Sequence, residues 1–331
     1  MSFQHVGIVG AGSWGTALAV LLHENRLPVT IWGHDAAHIA RVSESHENTP
    51  YLPGISLPEG LRFTTALDDL ATCDLVLLVT PSKAVREMAA RLSTTALGEN
   101  AVLLSCTKGV ERGSGLRMSE ILAECLSRNP VAVLSGPSHA EEVVRKMPTA
   151  VVIGSADADI RSRLQRAFTA TSFRSYTSDD VAGIELGGAL KNIFALAAGV
   201  SDGLGLGDNS KAALITRALA ELIRLGVALG GKRETFQGLS GIGDLMVTCF
   251  SQHSRNRAVG ERLGKGERLA DIIASMSMVA EGVPTTYSAY ECARRFQIET
   301  PIIDQMRALL DGERTPREVA LNLITREPKA E

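Results

Sequence analysis

The chain has 331 residues, about twice the roughly 150-residue size of a typical domain, so two domains are expected. Hydrophobic residues make up 45% and charged residues 21%, a balance that excludes wholesale disorder. Lysine and arginine total 34 against 37 acids, a formal charge of −3, which gives no bulk field for nucleic acid or an anionic membrane and leaves only a local basic pocket for a small anion.

The first half alternates short apolar runs with helical stretches. Residues 6–9 read as a strand, 10–15 as a glycine-rich turn, and 16–24 as a helix with Ala17, Leu18, Leu21 and Leu22 on its apolar face. Further strands are expected at 28–32, 74–79, 101–105, 131–134 and 150–153. Their continuous β-branched character suits parallel strands covered on both faces. Strands alternating with helices give an α/β class: an N-terminal Rossmann-like doubly wound sheet. After about residue 180 the pattern turns helical, at roughly 182–200, 210–229, 255–263, 269–275, 284–296, 301–310 and 316–323. The expected domains are therefore 1–180, binding a dinucleotide, and 181–331, all-helical and holding the substrate. Thirteen of the 31 glycines fall between Gly183 and Gly243, a density that points to close backbone approaches and turns. Only the tail, 327–331, is expected to fray.

The five cysteines are scattered and odd in number, with no C-x-x-C pair, and read as reduced thiols. No charged leader precedes the first strand. No apolar run reaches the roughly 18 residues of a membrane span, since Arg224 interrupts the best candidate at 219–229. A cytoplasmic protein without membrane insertion is expected.

Gly10-Ala-Gly12-Ser-Trp-Gly15 is a G-x-G-x-x-G between a strand and a helix. Gly10 permits the tight turn, Gly12 lets a diphosphate approach the backbone, and Gly15 lets the helix pack on the strand. At the end of the second strand, where a ribose-binding acid would sit, the sequence reads Trp32-Gly33-His34-Asp35. Gly33 is expected to leave room, and His34 can stack on adenine or face a 2′-phosphate, or else be a solvated loop residue. Asp35 comes a little late for the ribose. The segment reads as tolerant of NADP(H), with NAD(H) not excluded, so the expected cofactor is NADP(H) and/or NAD(H). His34 and His38 have no third ligand at metal spacing, so no metal is expected.

Lys108 and the segment Gly136-Pro-Ser138 follow strand ends, where open α/β sheets bind ligands. Lys108 can neutralise substrate or cofactor or be a surface lysine; Gly136 and Ser138 can donate to a ligand or form a plain capping turn. Lys191 and Asn192 interrupt an apolar helix, with Gly187 and Gly188 one turn below. Buried polar groups need partners or a function, and Lys191 can protonate an alkoxide formed on ketone reduction or snorkel to an edge. Asp244 can orient Lys191, bind a hydroxyl or shape a turn. Ser254 is a candidate N-cap that places Arg255 and Asn256 in a first helical turn, a phosphate-monoester site or an ordinary capped helix.

Taken together, GAGSWGTALA, YLPG at 51–54, TKG at 107–109, SGPSHAEEV at 135–143, GGALKNIFALAAGVSDGLGLG at 187–207, GIGDLMVTC at 241–249, SRNR at 254–257 and VAEGVPT at 279–285 resemble the NAD(P)-dependent glycerol-3-phosphate dehydrogenases of bacterial type. The resemblance implies reversible reduction of dihydroxyacetone phosphate to sn-glycerol 3-phosphate, supplying glycerophospholipid synthesis. It implies Lys191 as proton donor and acceptor. It assigns substrate binding to Lys108, Gly136, Ser138, Lys191, Asp244, Ser254, Arg255 and Asn256. Cofactor binding goes to Ser13, Trp14, His34, Tyr51, Lys108, Ala140, Arg255, Val279 and Glu281, beside the three glycines. A homodimer is the family expectation. The rival readings are a β-hydroxyacid dehydrogenase, which would carry its asparagine four residues after the lysine rather than next to it, and a non-catalytic NADP(H) sensor.

Overall fold

Leucine and β-branched side chains dominate the centre of the sheet. β1 (Val6–Val9), β4 (Leu75–Leu78) and β5 (Val102–Ser105) are buried along their whole length. Each leucine so buried contributes about 1.5–3 kcal/mol relative to exposure. The structure is a computed structural model and describes residues 2–276 and 278–327. All of the tail expected to fray, except Glu327, lies outside the described residues.

Eight strands form one sheet in the order β3-β2-β1-β4-β5-β6-β7-β8. Besides the three above, these are β2 (Val29–Trp32), β3 (Arg62–Thr64), β6 (Val131–Ser135), β7 (Thr149–Gly154) and β8 (Phe173–Ser178). The six strands expected from the sequence are all present; β3 and β8 are additional. Both are edge strands: β3 is three residues long and half-exposed, and β8 alternates buried Phe173 and Ser175 with exposed Arg174 and Tyr176. Neither carries the continuous apolar run of a strand covered on both faces. The sheet is also mixed rather than wholly parallel, because β7 runs antiparallel to β6 and β8 follows β7.

Helix α1 (Ser13–Glu24) packs with α5 (Ala140–Val144) and α6 (Ala158–Phe168), while α3 (Val85–Leu92) packs with α4 (Met118–Cys125). Strand order reverses at β1, with β2 on one side and β4 on the other. Right-handed crossovers leaving in opposite directions put α1 and α3 on opposite faces and open a crevice at the carboxyl ends of β1 and β4.

The chain divides into two compact units: Met1–Lys108 with Arg117–Glu185, and Gly109–Leu116 with Leu186–Glu331. The first contains the whole sheet. In the second, the described residues form helices and turns: the remainder of α7 (Val181–Gly203), then α8 (Gly207–Ala228), α9 (Arg233–Phe236), a π turn (Leu239–Gly243), α10 (Asp244–Phe250), α11 (Arg255–Gly264), α12 (Leu269–Ala274), α13 (Gly282–Arg295), α14 (Pro301–Leu310) and α15 (Pro316–Ile324). The segment Gly109–Leu116 is held on α13, where Arg295 donates to the carbonyls of Gly113 and Ser114 at 3.0 Å each and Glu291 accepts from the Gly113 amide at 3.1 Å.

The longest apolar stretch is not the one at 219–229. It is α7, whose mean hydropathy reaches 1.4 over 18 residues, and 89% of that window is buried inside the protein, as befits a core helix. Its glycines let another backbone touch it. A Cβ on Gly199 would lie 2.0 Å from the Arg257 carbonyl oxygen, and one on Gly260 of α11 would lie 2.0 Å from that of Leu196. Where α7 crosses α11, glycines thus let the two backbones come too close for any side chain.

Candidate active site

The expected site residues fall into two groups, one on each unit. On the first, Gly10 ends β1 with φ +125°, and a Cβ there would meet the Val79 carbonyl oxygen at 2.6 Å. A Cβ on Gly15 would lie 1.9 Å from the Gly10 carbonyl oxygen, so only glycine lets α1 start this close to β1. Gly12, the N-cap of α1, has open space where its side chain would be. No side chain caps this helix and no acid lies in its first turn, which leaves the amide end of Ser13, Trp14 and Gly15 with a positive field. A cradle with closely packed glycines below and open space above fits a dinucleotide diphosphate.

A residue that sequence reasoning passed over secures this turn. Asn48 is fully buried, and its Nδ2 donates to the Ala11 carbonyl at 3.0 Å and to Thr16 Oγ1 at 2.8 Å. Asparagine in a loop carries no pattern, and only the fold brings it within reach of the glycine turn. Tyr51, three residues on, sets its ring edge-on to His38 at 5.3 Å.

At the end of β2 the structure corrects one expectation. Gly33 does not leave room, since a Cβ there would lie 2.5 Å from Ile39 Cδ1 and 3.2 Å from Ala11 Cβ. The glycine serves the packing of α2 (Ala36–Ser45) on the glycine turn. Asp35 is the N-cap of α2, accepting from the His38 amide at 3.0 Å, and that hydrogen bond holds its carboxyl below the usual range. It is committed to the helix, and the exposed His34 stands beside it. Among the described residues no group of His, Cys, Asp and Glu side chains could hold a metal.

Beyond β5 and β6, Lys108, Gly136 and Ser138 do come together, in an order the sequence did not suggest. Gly136 is the acceptor: its carbonyl takes Lys108 Nζ at 3.0 Å and Ser138 Oγ at 2.9 Å. Its φ of +130° turns the carbonyl toward both. Ala140, buried, opens α5 directly after.

The second group sits wholly on the helical unit. Lys191 is 6% exposed, and its Nζ donates to Asp244 Oδ1 and, at 2.6 Å, to Thr248 Oγ1. Thr248 in turn donates to the Asp244 backbone carbonyl at 2.6 Å. Asp244 is 1% exposed, so a buried cation meets a buried anion and a hydroxyl. Gly187 permits this, since a Cβ there would lie 2.4 Å from the Ser240 carbonyl oxygen and push the π turn away from α7. Burial pushes the neighbouring Cys249 thiol up to about 12 although Lys191 and Lys211 act against the shift, so it is no nucleophile.

Asn192, next to Lys191, faces a different partner: its Oδ1 accepts from Asn256 Nδ2 at 2.9 Å, and Asn256 Oδ1 accepts from the Gly282 amide at 2.8 Å. This chain of amides ties α7 to the first turns of α11 and α13, whose N-caps are Ser254 and Glu281. Ser254 Oγ accepts from the Arg257 amide at 3.2 Å. Arg255 and Val279 are exposed. The sequence marked Asp244 but not Thr248, one helical turn later, because α10 itself was not foreseen.

A glycine-lined dinucleotide turn on a mixed α/β sheet, with a buried lysine–carboxylate pair on a helical unit, defines a two-domain nucleotide-dependent dehydrogenase. Family profiles agree with that class: the NAD-dependent glycerol-3-phosphate dehydrogenase N-terminus matches residues 5–161 and its C-terminus matches 180–321. A glycerol-3-phosphate dehydrogenase [NAD(P)+] of Geobacter sulfurreducens is 47% identical, with 99% of each chain covered. One from Bacillus licheniformis is 48% identical over 95% of this chain and 92% of its own. The crystal structure of glycerol-3-phosphate dehydrogenase from Coxiella burnetii superposes with a TM-score of 0.94 at 37% identity, covering 98% of this chain and 99% of that one. The chain belongs to the NAD-dependent glycerol-3-phosphate dehydrogenase family.

Proposed function

We propose that the chain catalyses reversible hydride transfer between NAD(P)H and dihydroxyacetone phosphate, giving sn-glycerol 3-phosphate for glycerophospholipid synthesis. The observation that carries the reading is Lys191, a lysine buried on a carboxylate and a hydroxyl in a member of this family. A sensor has no need of such a group, and a buried unpaired lysine would be costly.

The nicotinamide cofactor supplies the hydride when bound. The amide end of α1 and open Gly12 take the diphosphate, with Trp14, His34, Tyr51 and Ala140 lining the nucleotide. Asp35 caps α2 and is not set aside for a ribose 2′-hydroxyl, which supports acceptance of NADP(H) beside NAD(H). The turn of Ser254, Arg255 and Asn256 grips the substrate phosphate with backbone amides and a guanidinium, and remote binding energy then orients the carbonyl. Lys191 Nζ gives its proton to the developing alkoxide, while Asp244 and Thr248 hold the nitrogen in one position. On the sheet unit, Lys108 and Ser138 are gathered on the Gly136 carbonyl, and the family resemblance gives all three a part in substrate binding. A cytoplasmic, homodimeric enzyme completes the proposal.

The test follows absorbance of the reduced cofactor with dihydroxyacetone phosphate, NADPH and NADH side by side. Lys191→Ala should lower kcat about 10²–10⁴-fold, the range for a lost general acid, with cofactor affinity retained. NADPH binding without oxidation would remove the substrate assignment; wild-type kcat in Lys191→Ala would remove the lysine from the mechanism.

A further inference from the structure

Lys191 is not the only lysine sunk in the helical unit. Lys211, in the second turn of α8, is 7% exposed, and α8 contributes no other group to the site described above. Its Nζ donates to Asp202 Oδ2 at 2.9 Å and lies 4.8 Å over the Phe250 ring. The same carboxylate oxygen accepts from Arg257 Nε at 2.7 Å. Glu261, one turn further along α11, meets the other side of the Arg257 guanidinium at 3.5 Å.

Three elements that carry reacting or anchoring groups in this unit, α7, α10 and α11, meet around the Asp202–Lys211 pair. Asp202 lies about three turns beyond Lys191, on the same face of α7. Arg257 is the residue whose amide Ser254 caps, directly after Arg255 and Asn256. Phe250 is the last residue of α10, the helix that carries Asp244 and Thr248. Two cations meet on the Asp202 carboxylate beside the phosphate turn, and Glu261 faces the Arg257 guanidinium from its other side. The planar guanidinium, bonded through Nε, fixes the rotation of the first turn of α11 in a way a flexible ammonium would not.

We propose that Asp202, Lys211 and Arg257 are positioning residues that set the register of the 254–256 turn and so the affinity for a phosphate monoester. The inference rests on the phosphate role given to that turn above. Lys211 balances Asp202 so that its carboxylate stays bridged between α8 and α11. Without the lysine charge the carboxylate follows Arg257 alone, and the turn is free to rotate away from its substrate-ready orientation. Displacements of about 1 Å at an anchor are enough to cost large factors in productive binding.

The experiment compares Lys211→Met, Lys211→Arg and Asp202→Asn with the wild type, using steady-state reduction of dihydroxyacetone phosphate, thermal melting, and calorimetric titration with inorganic phosphate. Lys211→Met and Asp202→Asn should raise KM for the phosphorylated substrate and weaken phosphate binding by about tenfold or more, as expected for a lost charge-assisted contact. The KM for NADPH should stay unchanged and kcat should fall far less. Lys211→Arg, which keeps the charge and the ring contact, should restore both values. An unchanged substrate KM in Lys211→Met overturns the proposal, as does a parallel fall in kcat, cofactor affinity and melting temperature that Lys211→Arg does not rescue. A wild type that binds phosphate but does not turn over dihydroxyacetone phosphate would defeat the proposed reaction alone, and phosphate affinity across the same variants would still decide the positioning role. A wild type that binds no phosphate defeats the phosphate role of the 254–256 turn and the positioning role with it, while turnover of dihydroxyacetone phosphate still decides the reaction.

Discussion

At the scale of single residues, the site turns on how a lysine with three donors is held. Asp244 supplies the charge that makes burial of Lys191 tolerable, and Thr248 supplies direction, because its hydroxyl donates to the Asp244 backbone carbonyl and so presents a lone pair to Nζ. Removing that hydroxyl leaves a buried ammonium one acceptor short, at a cost of about 1–3 kcal/mol. Spent on the barrier, this is about a ten- to hundredfold loss of rate. Thr248→Val should therefore lower kcat by that factor with KM for NADPH unchanged, whereas Thr248→Ser should remain near the wild type. Equal turnover in the valine and serine variants would show that Asp244 orients the lysine unaided. The reading of Lys191 from sequence was possible because a lysine and an asparagine stood in an otherwise apolar helix. Thr248 was illegible, since a threonine after GIGD gains meaning only once α10 exists and its one-turn spacing from Asp244 applies.

At the scale of elements, glycines divide into two kinds with opposite mutational consequences. Gly199 lies where α7 and α11 cross, and its Cβ would stand 2.0 Å from the Arg257 carbonyl oxygen and 2.7 Å from the Glu261 amide nitrogen. Both are backbone atoms, so no rotamer change relieves the clash and the helices must separate. Gly199→Ala should destabilise by about 3 kcal/mol, the upper part of the overpacking range, read by denaturant melting. Gly12 has φ −81° and open space around its missing side chain, so Gly12→Ala should leave stability within about 0.5 kcal/mol. Its effect should appear instead as weakened NADPH binding, because the methyl would fill the open space proposed for the diphosphate. A Gly12→Ala protein that binds NADPH normally would remove the glycine from the cradle. The sequence pattern told that glycines were dense after Gly183; it had no means of telling helix crossings from ligand-facing turns.

For the whole molecule, legibility followed burial. Strands covered on both faces announced themselves as unbroken apolar runs, whereas β8 spells Phe-Arg-Ser-Tyr-Thr-Ser and is held in place by its pairing with β7. Burial of polar groups was less readable, and Glu221 is the clearest instance. It sits on α8 and accepts from the amides of Ile302 at 3.0 Å and Ile303 at 2.9 Å, acting as a cap for α14 whose own N-cap, Thr300, makes no side-chain cap bond. Burial raises its carboxyl from an ordinary 4.5 to about 7, outweighing the two amides and Arg224, which favour the charged form. In the folded protein the group thus holds its proton up to about pH 7, while the unfolded chain loses it near 4.5. The stabilisation linked to that proton is fully present below pH 4.5 and is lost as pH rises through 7; the shift corresponds to about 3 kcal/mol. Glu221→Gln stays neutral throughout and should not lose it. The melting temperature of the wild type relative to Glu221→Gln should therefore decline between pH 5 and pH 8, and a difference that stays constant across that range would mean that the carboxylate is charged in the folded state at both ends. In that case the cap of α14 would be an anion stabilised by two amides and the helix dipole, and lowering the pH would weaken the contact instead of strengthening it.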